Sequence, residues 1–565
     1  MSSPAGDIAK PPQTGTEAAR AAVWSERLAE QIAARLATGE TEAPIVCASG
    51  ISPSGPIHMG NLREVFTTHL VAEALRARGR EVVHLHSWDD YDRLRKVPAG
   101  VDQSFQQHIG RPLAQIPDPW DPAAGSYAER WMAEFRSALA ELGIDLHEVR
   151  QSQRYPAGAY NAAIRRAMDA REPIFDTLAA QQTSGRHDKP LEQRRREYFP
   201  FKPYCDACGR DDTQVTAYAG ETAAYRCRCG HAGEISLADG AQISGKLVWK
   251  VDWPMRWAHE GVAFEPAGED HHAPTGSFTV GRELVRDVFG AEAPRSEVYS
   301  FVTLAGMDGK LSGSAGSAAV PSAALNVLEP AIVRWLYIRR LPAQSFQIDL
   351  SPKGVQKLYD EWDRFVATAT GPEAGDADAA ILALATSTSS GEVAGAKRRV
   401  SFRLLAAAAD LTQGNREQIG RIVAQHLPEP APGAGELLAE LEPRLACALN
   451  HVRLLPAEQR TTLRESFDAE IWEGLDEATR DGVRTLASEI GGAWTPDGLT
   501  ALVYAIPKDM LGLPRDTPPT SELKAAQRAF FKALYQLLCA SDTGPRLPTL
   551  MLSIGAERTR ELLVG

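Results

Sequence analysis

The period of apolar and polar positions changes several times along the chain, and each change marks an element. "EAPIVCASG" is a continuous apolar run closing on Gly50, the pattern of a strand buried on both faces. In "NLREVFTTHLVAEALRARG" that follows, Leu62, Val65, Phe66, Leu70 and Leu75 fall at helical spacing and the pattern stops at Gly79. "EVVHLHSWDD" returns to a strand. Strand, glycine-rich loop, helix and strand make a parallel crossover unit, so the front of the chain is predicted to hold a doubly wound parallel sheet. Ligands of such sheets bind at the carboxyl ends of the strands, where His58, Asp89 and Asp90 fall.

The pattern breaks between about residues 150 and 245, which reads as an insertion, and strand-like "KLVWKVDWP" and "SEVYSFVTLAG" resume it. Beyond Pro321, alanine- and leucine-rich helical stretches succeed one another, with joints at "GPEAGDADAA", "STSSGEVAG" and "LPEPAPGAGE". The expected organisation is a disordered leader over 1–20, a first half of the sheet domain over 21–150 and an insertion over 151–245. The second half follows over 246–320, then a connecting helical segment over 321–355 and an all-α domain over 356–565.

Composition narrows the class. The chain has 565 residues, 44% hydrophobic and 24% charged, enough for three or four domains. No apolar run is long enough to span a bilayer, and "MSSPAGDIAKPPQTGTEAAR" lacks the apolar core of a signal peptide, so a cytoplasmic location without membrane partners is expected. A net charge of −12 argues against a protein that coats nucleic acid indiscriminately. It leaves room for a specific nucleic-acid partner at local basic runs such as "EQRRREY" and "AKRRVSFR". Four of the seven cysteines lie between Cys205 and Cys229, which points to metal rather than a disulfide scaffold. Cys205-x2-Cys208 followed by Cys227-x-Cys229 has zinc-ribbon spacing, with the second half one residue short. His231 is therefore an alternative to Cys227 or Cys229 as a ligand.

The candidate chemistry begins in "ASGISPSGPIHMGN". A helix N-terminus carries unpaired N–H groups and partial positive charge, so it suits phosphate. Gly60 lets a flat ring approach the backbone, His58 is placed to donate to a phosphate oxygen as charge builds, and Asn61 offers a donor or a cap. A second glycine-rich loop, "GMDGKLSGSAG", presents Lys310 with the hydroxyls of Ser312 and Ser314 close behind it, a clamp suited to β- and γ-phosphates.

Together "HMGN" and "KLSGS" resemble the two signatures of class I aminoacyl-tRNA synthetases. "SGISPSGPIHMGNLREV", "SWDDYDRLRKVPAG", "KLVWKVDWPMRWAHEGVAFEPAGEDHH", "LEPAIVRWLYIRR" and the C-terminal "FFKALYQLLCASDTGPRLPTLMLSIGAERTRELL" resemble the class I lysyl-tRNA synthetase family more specifically. The resemblance implies an α/β fold: a Rossmann-type parallel-sheet catalytic domain with a zinc-ribbon insertion, then an all-α anticodon-binding domain. It implies attack of the L-lysine carboxylate on the α-phosphate of ATP with Mg2+, then transfer to tRNA(Lys), by an enzyme expected to be a monomer. By that resemblance His58, Asn61 and Lys310 stabilise the transferring phosphoryl group. Pro53, Ser54, Gly60, Gly268, Asp270, Ser312 and Ser314 join them around ATP. Gly50, Ser52, Asp89, Trp249, Asp252 and His271 surround the lysine, where an indole face attracts a cation.

Simpler readings compete. Trp249, Trp253 and Trp257, spaced by four, also suit a core, as do Phe530, Phe531 and Tyr535, and Asp92 is equally suited to pairing with Arg93 or Arg95. The lysine loop departs from the family's Lys-Met-Ser-Ser-Ser-Lys-Gly: here Leu311, Gly313 and Ala315 stand at the second, fourth and sixth places. Losing one charge-assisted contact to a transition state costs about 2.7–4 kcal/mol, so slow adenylate formation is expected unless Arg334 or Lys353 reaches in. Some relatives hold a second zinc near the segment matching "PDPWDPAAGSYAERW". Here Asp118 remains but Arg130 stands at another ligand place, so one zinc is expected. Two alternatives to the ligase stay open: a specialised or resistance-type paralogue that adenylates lysine with altered kinetics or for another acceptor, and a decayed RNA-binding module.

Overall fold

A computed structural model describes residues 14–36, 43–181, 189–306, 320–427 and 433–565. They form two compact units: residues 1–325, 330–350 and 368–393 cluster as one, and residues 326–329, 351–367 and 394–565 as the other.

The first unit is built on four parallel strands in the order β3–β2–β1–β4, where β1 is Ile45–Ile51, β2 Val82–Trp88, β3 His147–Arg150 and β4 Val262–Phe264. β1 and β2 align Ile45 with Val82 through to Ile51 with Trp88, which brings Gly50 beside Ser87 at their carboxyl ends. Between them runs α2 (Met59–Ala77), whose Leu62, Val65, Phe66, Leu70 and Leu75 are all buried as their spacing predicts. One sheet face is apolar: Ala48, Leu85, Val149 and Val262 pack with Trp253, Trp257, Phe278 and Val285. Ser49 instead bonds two histidines of β2, with its Oγ 2.8 Å from His86 Nδ1 and 3.1 Å from His84 Nε2. Desolvation holds both imidazoles well below their usual pKa, so they stay neutral and their hydrogen bonds offset the cost of burial.

The expected leader over 1–20 gives way to helix at Thr14. α1 (Thr14–Leu36) is alanine-rich, hence a strong helix former, and it packs against α2 through residues such as Trp24 and Leu28. The insertion carries a three-stranded antiparallel sheet of Thr213–Ala219, Thr222–Cys227 and Ala232–Ser236. Two short antiparallel strands, Phe201–Pro203 and Gly245–Leu247, close its base.

The second unit is helical. Val483, Leu486, Leu502, Phe530, Leu534 and Leu550 share one core. Tyr535 packs at its edge and donates to the Pro545 carbonyl at 2.6 Å, and Phe531 meets Tyr504 edge-on. Elsewhere in this unit Arg444, fully buried, pairs with Glu329 at 2.6 Å and Asp363 at 2.8 Å. Among the described residues no helix is long and apolar enough to cross a membrane.

Candidate active site and metal centre

A cavity opens at the carboxyl ends of β1 and β2, roofed by α3 (Trp249–Glu260). Gly50, Asp89, Trp249 and His271 line it as expected; Ser52 and Asp252 are not among its lining residues. Asp252 lies beneath the surface, fully buried, taking a bond from Tyr155 Oη at 2.5 Å and pairing with Arg256 at 3.2 Å and Lys246 at 3.5 Å. Asp92 pairs with Lys246 at 2.6 Å rather than with the neighbouring Arg93 or Arg95; Lys246 comes from the strand Gly245–Leu247, and Arg93 turns to Asp211. A four-residue spacing puts Trp249, Trp253 and Trp257 on one side of α3, the first two stacked at 5.1 Å. Trp257 is buried as a core residue would be, yet it also lines the cavity.

The cavity is acidic. Glu64, Asp89, Glu260 and Glu265 line it against a single lining arginine, Arg256, which bonds Asp89 at 2.9 Å and Ser87 Oγ at 2.6 Å and stands over the Trp249 ring. Glu64 accepts from the Gly50 N–H and from Tyr299 Oη, each at 2.7 Å. Glu265 accepts from both indoles above it, Trp253 at 3.0 Å and Trp257 at 2.6 Å. Burial dominates both carboxyls and pushes Glu64 up to about 8 and Glu265 up to about 7. Such groups invite a cation, since an incoming positive charge offsets the cost of ionising them. Glu64 and Glu265 were not singled out from the sequence. Glu64 sits at a position that reads as the polar side of α2, and only the fold brings Gly50 and Tyr299 to it.

Next to the cavity, His58 is the N-cap of α2, with extended backbone at φ −94° and ψ 169°. Asn61 acts as the cap partner, its Oδ1 accepting from the His58 N–H at 3.2 Å. The need for glycine at position 60 is steric: a Cβ there would stand 2.9 Å from His58 Nδ1. Pro53 is buried and Ser54 exposed in the same loop. Gly268 opens the short helix Glu269–His272, and a Cβ on it would collide with Asp270 Oδ1 at 2.7 Å. Lys310, Ser312 and Ser314 lie outside the described residues, as do Leu311, Gly313 and Ala315. The strand leading toward them, β5 (Val302–Leu304), is described. Its Val302 carbonyl lies 3.7 Å from the place a Gly60 Cβ would occupy, so this arm runs beside the histidine helix.

In the insertion, Cys205, Cys208, Cys227 and Cys229 bring their four Sγ atoms within 4.8 Å of one another. Cys205–Cys229 and Cys208–Cys227 are each 3.7 Å apart. Thiolates at about 2.3 Å around a tetrahedral ion stand roughly 3.8 Å apart, so this donor set fits one zinc. The short second half works because Gly230, at φ +93°, turns the chain back immediately after Cys229. His231 is not in the cluster; its carbonyl bonds the Cys227 N–H and its ring lies against Tyr225.

Comparison with known proteins decides the family. Residues 22–388 match the family model described as tRNA synthetases class I (K). The chain belongs to this family. It is 43% identical to a lysine–tRNA ligase of Streptomyces coelicolor, over 96% of this chain and 98% of that protein. The corresponding ligase of Pyrococcus furiosus is 36% identical over 94% and 98%, and that of Treponema pallidum 31% over 96% and 98%.

Three further positions bear on the family pattern. Arg334 does not serve as a spare cation for the lysine loop: it is wholly buried, donating to the Leu142 carbonyl at 2.7 Å and the Leu384 carbonyl at 2.6 Å. Lys353 is exposed at the start of the helix Pro352–Ala369. The Asp118 carboxylate is engaged by Arg130 Nε at 2.5 Å. Among the basic runs, Arg195 pairs with Asp176, Arg398 with Glu440 and Arg403 with Asp360.

Proposed function

We infer that the chain acts as a lysine–tRNA ligase, joining L-lysine to ATP with release of pyrophosphate and passing the lysyl group from the adenylate to the 3′ end of tRNA(Lys). The observation that carries this reading is an acidic, tryptophan-roofed cavity placed beside a helix N-terminus at the edge of a parallel sheet. A ligand with two ammonium groups and an apolar stem matches that lining. Gly50, Asp89, Trp249 and His271 surround the lysine, with Glu64 and Glu265 as carboxylate partners and the Trp249–Trp253 stack against the stem. Arg256 holds Asp89, and Asp252 holds Arg256 from beneath.

ATP enters as its magnesium complex, its phosphates over the first turn of α2 with Pro53, Ser54, Gly60 and Asn61. His58 donates to the α-phosphate as the lysine carboxylate attacks, and Gly268 and Asp270 face the ribose. Lys310, Ser312 and Ser314 complete the clamp by family resemblance. The chain itself forms no covalent bond to substrate, so its contribution is positioning and preorganised charge. Zinc at Cys205, Cys208, Cys227 and Cys229 would supply a structural cross-link in the insertion. The helical unit is assigned to the tRNA anticodon. No observation favours a paralogue with another acceptor or a decayed RNA-binding module.

The test is ATP–pyrophosphate exchange across all twenty amino acids, followed by tRNA charging with whichever responds. Lysine-dependent exchange and charging of tRNA(Lys) are expected. Exchange without charging would return the paralogue reading, and tRNA binding without exchange the module.

A further inference from the structure

Lys246 is the middle residue of the buried strand Gly245–Leu247, which pairs with Phe201–Pro203 at the base of the insertion. It does not line the lysine cavity. Its Nζ lies 2.6 Å from Asp92 Oδ1 and 3.5 Å from Asp252 Oδ2. The same strand grips Asp252 a second time: the Leu247 N–H donates to Tyr155 Oη at 3.3 Å, and Tyr155 Oη donates to Asp252 Oδ1 at 2.5 Å. The Asp252 Oδ2 that faces Lys246 also meets Arg256 Nη2 at 3.2 Å. Arg256 Nη1 in turn donates to Asp89 Oδ1 at 2.9 Å and to Ser87 Oγ at 2.6 Å. A chain of ionic contacts therefore runs from the base of the insertion to a carboxylate on the cavity wall.

Charge decides what Lys246 does there. Asp89, Asp92 and Asp252 bring three negative charges against the two positive charges of Arg256 and Lys246, so the cluster keeps one net negative charge. Burial opposes a charge on Lys246, yet Asp92, Asp252 and Asp89 together raise its pKa above the ordinary lysine value, and it stays an ammonium. Removing one member of a buried ion cluster leaves an uncompensated charge that its neighbours must meet. Without Lys246, the wholly buried Asp252 would draw on Arg256, four residues further along α3. Arg256 can give more to Asp252 only by loosening its hold on Asp89.

We propose that Lys246 is a positioning residue for the amino-acid seat: by compensating Asp92 and Asp252 it leaves Arg256 on Asp89, and so fixes the carboxylate that the substrate ammonium meets. The proposal rests on the ligase reading above. Lys246 touches no substrate; it acts through the order Lys246, Asp252, Arg256, Asp89. The cluster contains no residue of the His58 loop or of the Gly268–Asp270 segment, so ATP is expected to bind independently of it.

The test measures lysine-dependent ATP–pyrophosphate exchange by the full chain as wild type, as Lys246→Met and as the double variant Lys246→Met, Asp92→Asn. Lys246→Met should raise the KM for lysine at least about tenfold, the size of coupling expected within one charge network, with kcat and the KM for ATP within about threefold. The double variant removes one carboxylate along with the ammonium and restores the net charge of the cluster. It should return the KM for lysine to within about threefold of wild type, which a merely structural role would not allow, since the double variant recovers none of the lost contacts. Carrying no more uncompensated charge than wild type, it also decides the matter if Lys246→Met does not fold. The proposal is overturned if Lys246→Met leaves the KM for lysine unchanged, if lysine and ATP weaken together in either variant, or if the double variant is as impaired for lysine as the single one. Absence of lysine-dependent exchange in the wild-type chain would instead refute the ligase reading itself.

Discussion

The cysteine cluster and the acidic cavity both gather charge-bearing groups in a small volume, but they are built in opposite ways. The four cysteines come from 25 consecutive positions, Cys205 to Cys229, and two local turns bring them together. The cavity draws Gly50 from β1, Glu64 from α2, Asp89 from the end of β2, and Trp249, Glu265 and His271 from beyond the insertion. A ligand set written into local spacing survives changes elsewhere in the fold. A pocket assembled across more than two hundred positions depends on every element that carries it, and its charges are tuned by burial rather than by sequence neighbours.

The largest expected effect breaks the cluster. Cys208→Ser should abolish stoichiometric zinc in the purified chain, and hydrogen exchange should rise across residues 205–236, because a structural zinc site contributes much of the folding free energy of its module. If the cavity is independent, β1 and β2 keep their protection; if protection there collapses as well, the contrast between the two sites is wrong.

On the cavity side, Glu64→Gln should lower kcat/KM for lysine about 100-fold while changing the KM for ATP far less, since it leaves an ammonium group without its carboxylate. An equal loss for both substrates would move Glu64 out of the amino-acid seat.

A smaller effect is expected from pH. Glu64 and Glu265 are raised to about 8 and about 7 from an ordinary value of 4.5, so without ligand they hold protons near neutrality. A lysine cation favours their ionised forms, so the KM for lysine should fall as pH rises from 6.5 to 8.5, by about tenfold for each proton released per pH unit. Stability runs the other way. The native chain holds protons that the unfolded chain has already lost above pH 4.5, so the contribution of these two groups declines as pH rises toward 8. Glu64→Gln should flatten part of the KM profile, and a profile that is flat in the wild type would contradict the assignment of these carboxyls.

The comparison also explains what could be read without coordinates. The β1–α2–β2 unit was legible because its apolar positions follow the helix and strand periods closely, and the metal set because cysteine spacing is local. At Gly60 the expectation was room for a flat ring beside the phosphate site; what a Cβ there would meet is the His58 imidazole, a separate steric reason for glycine that the sequence did not indicate. Glu64 was missed because a glutamate among buried helix neighbours looks like a solvent-facing residue until Tyr299 is brought beside it by the fold. Asp252 was placed in contact with substrate by resemblance, whereas its neighbours Tyr155, Lys246 and Arg256 occupy it from below. The pairing of Asp92 with Lys246 spans 154 positions, a distance over which charge order along the chain carries no information.

The central claim is that the cavity recognises a terminal ammonium group through its carboxylates. Norleucine has the same apolar stem as lysine and ends in a methyl group, so ATP–pyrophosphate exchange driven by lysine and by norleucine in the wild-type chain isolates that group. The account predicts a preference for lysine of at least a thousandfold in kcat/KM; comparable exchange with norleucine would show that the cavity selects its ligand by shape and leave its buried acids without the role assigned here.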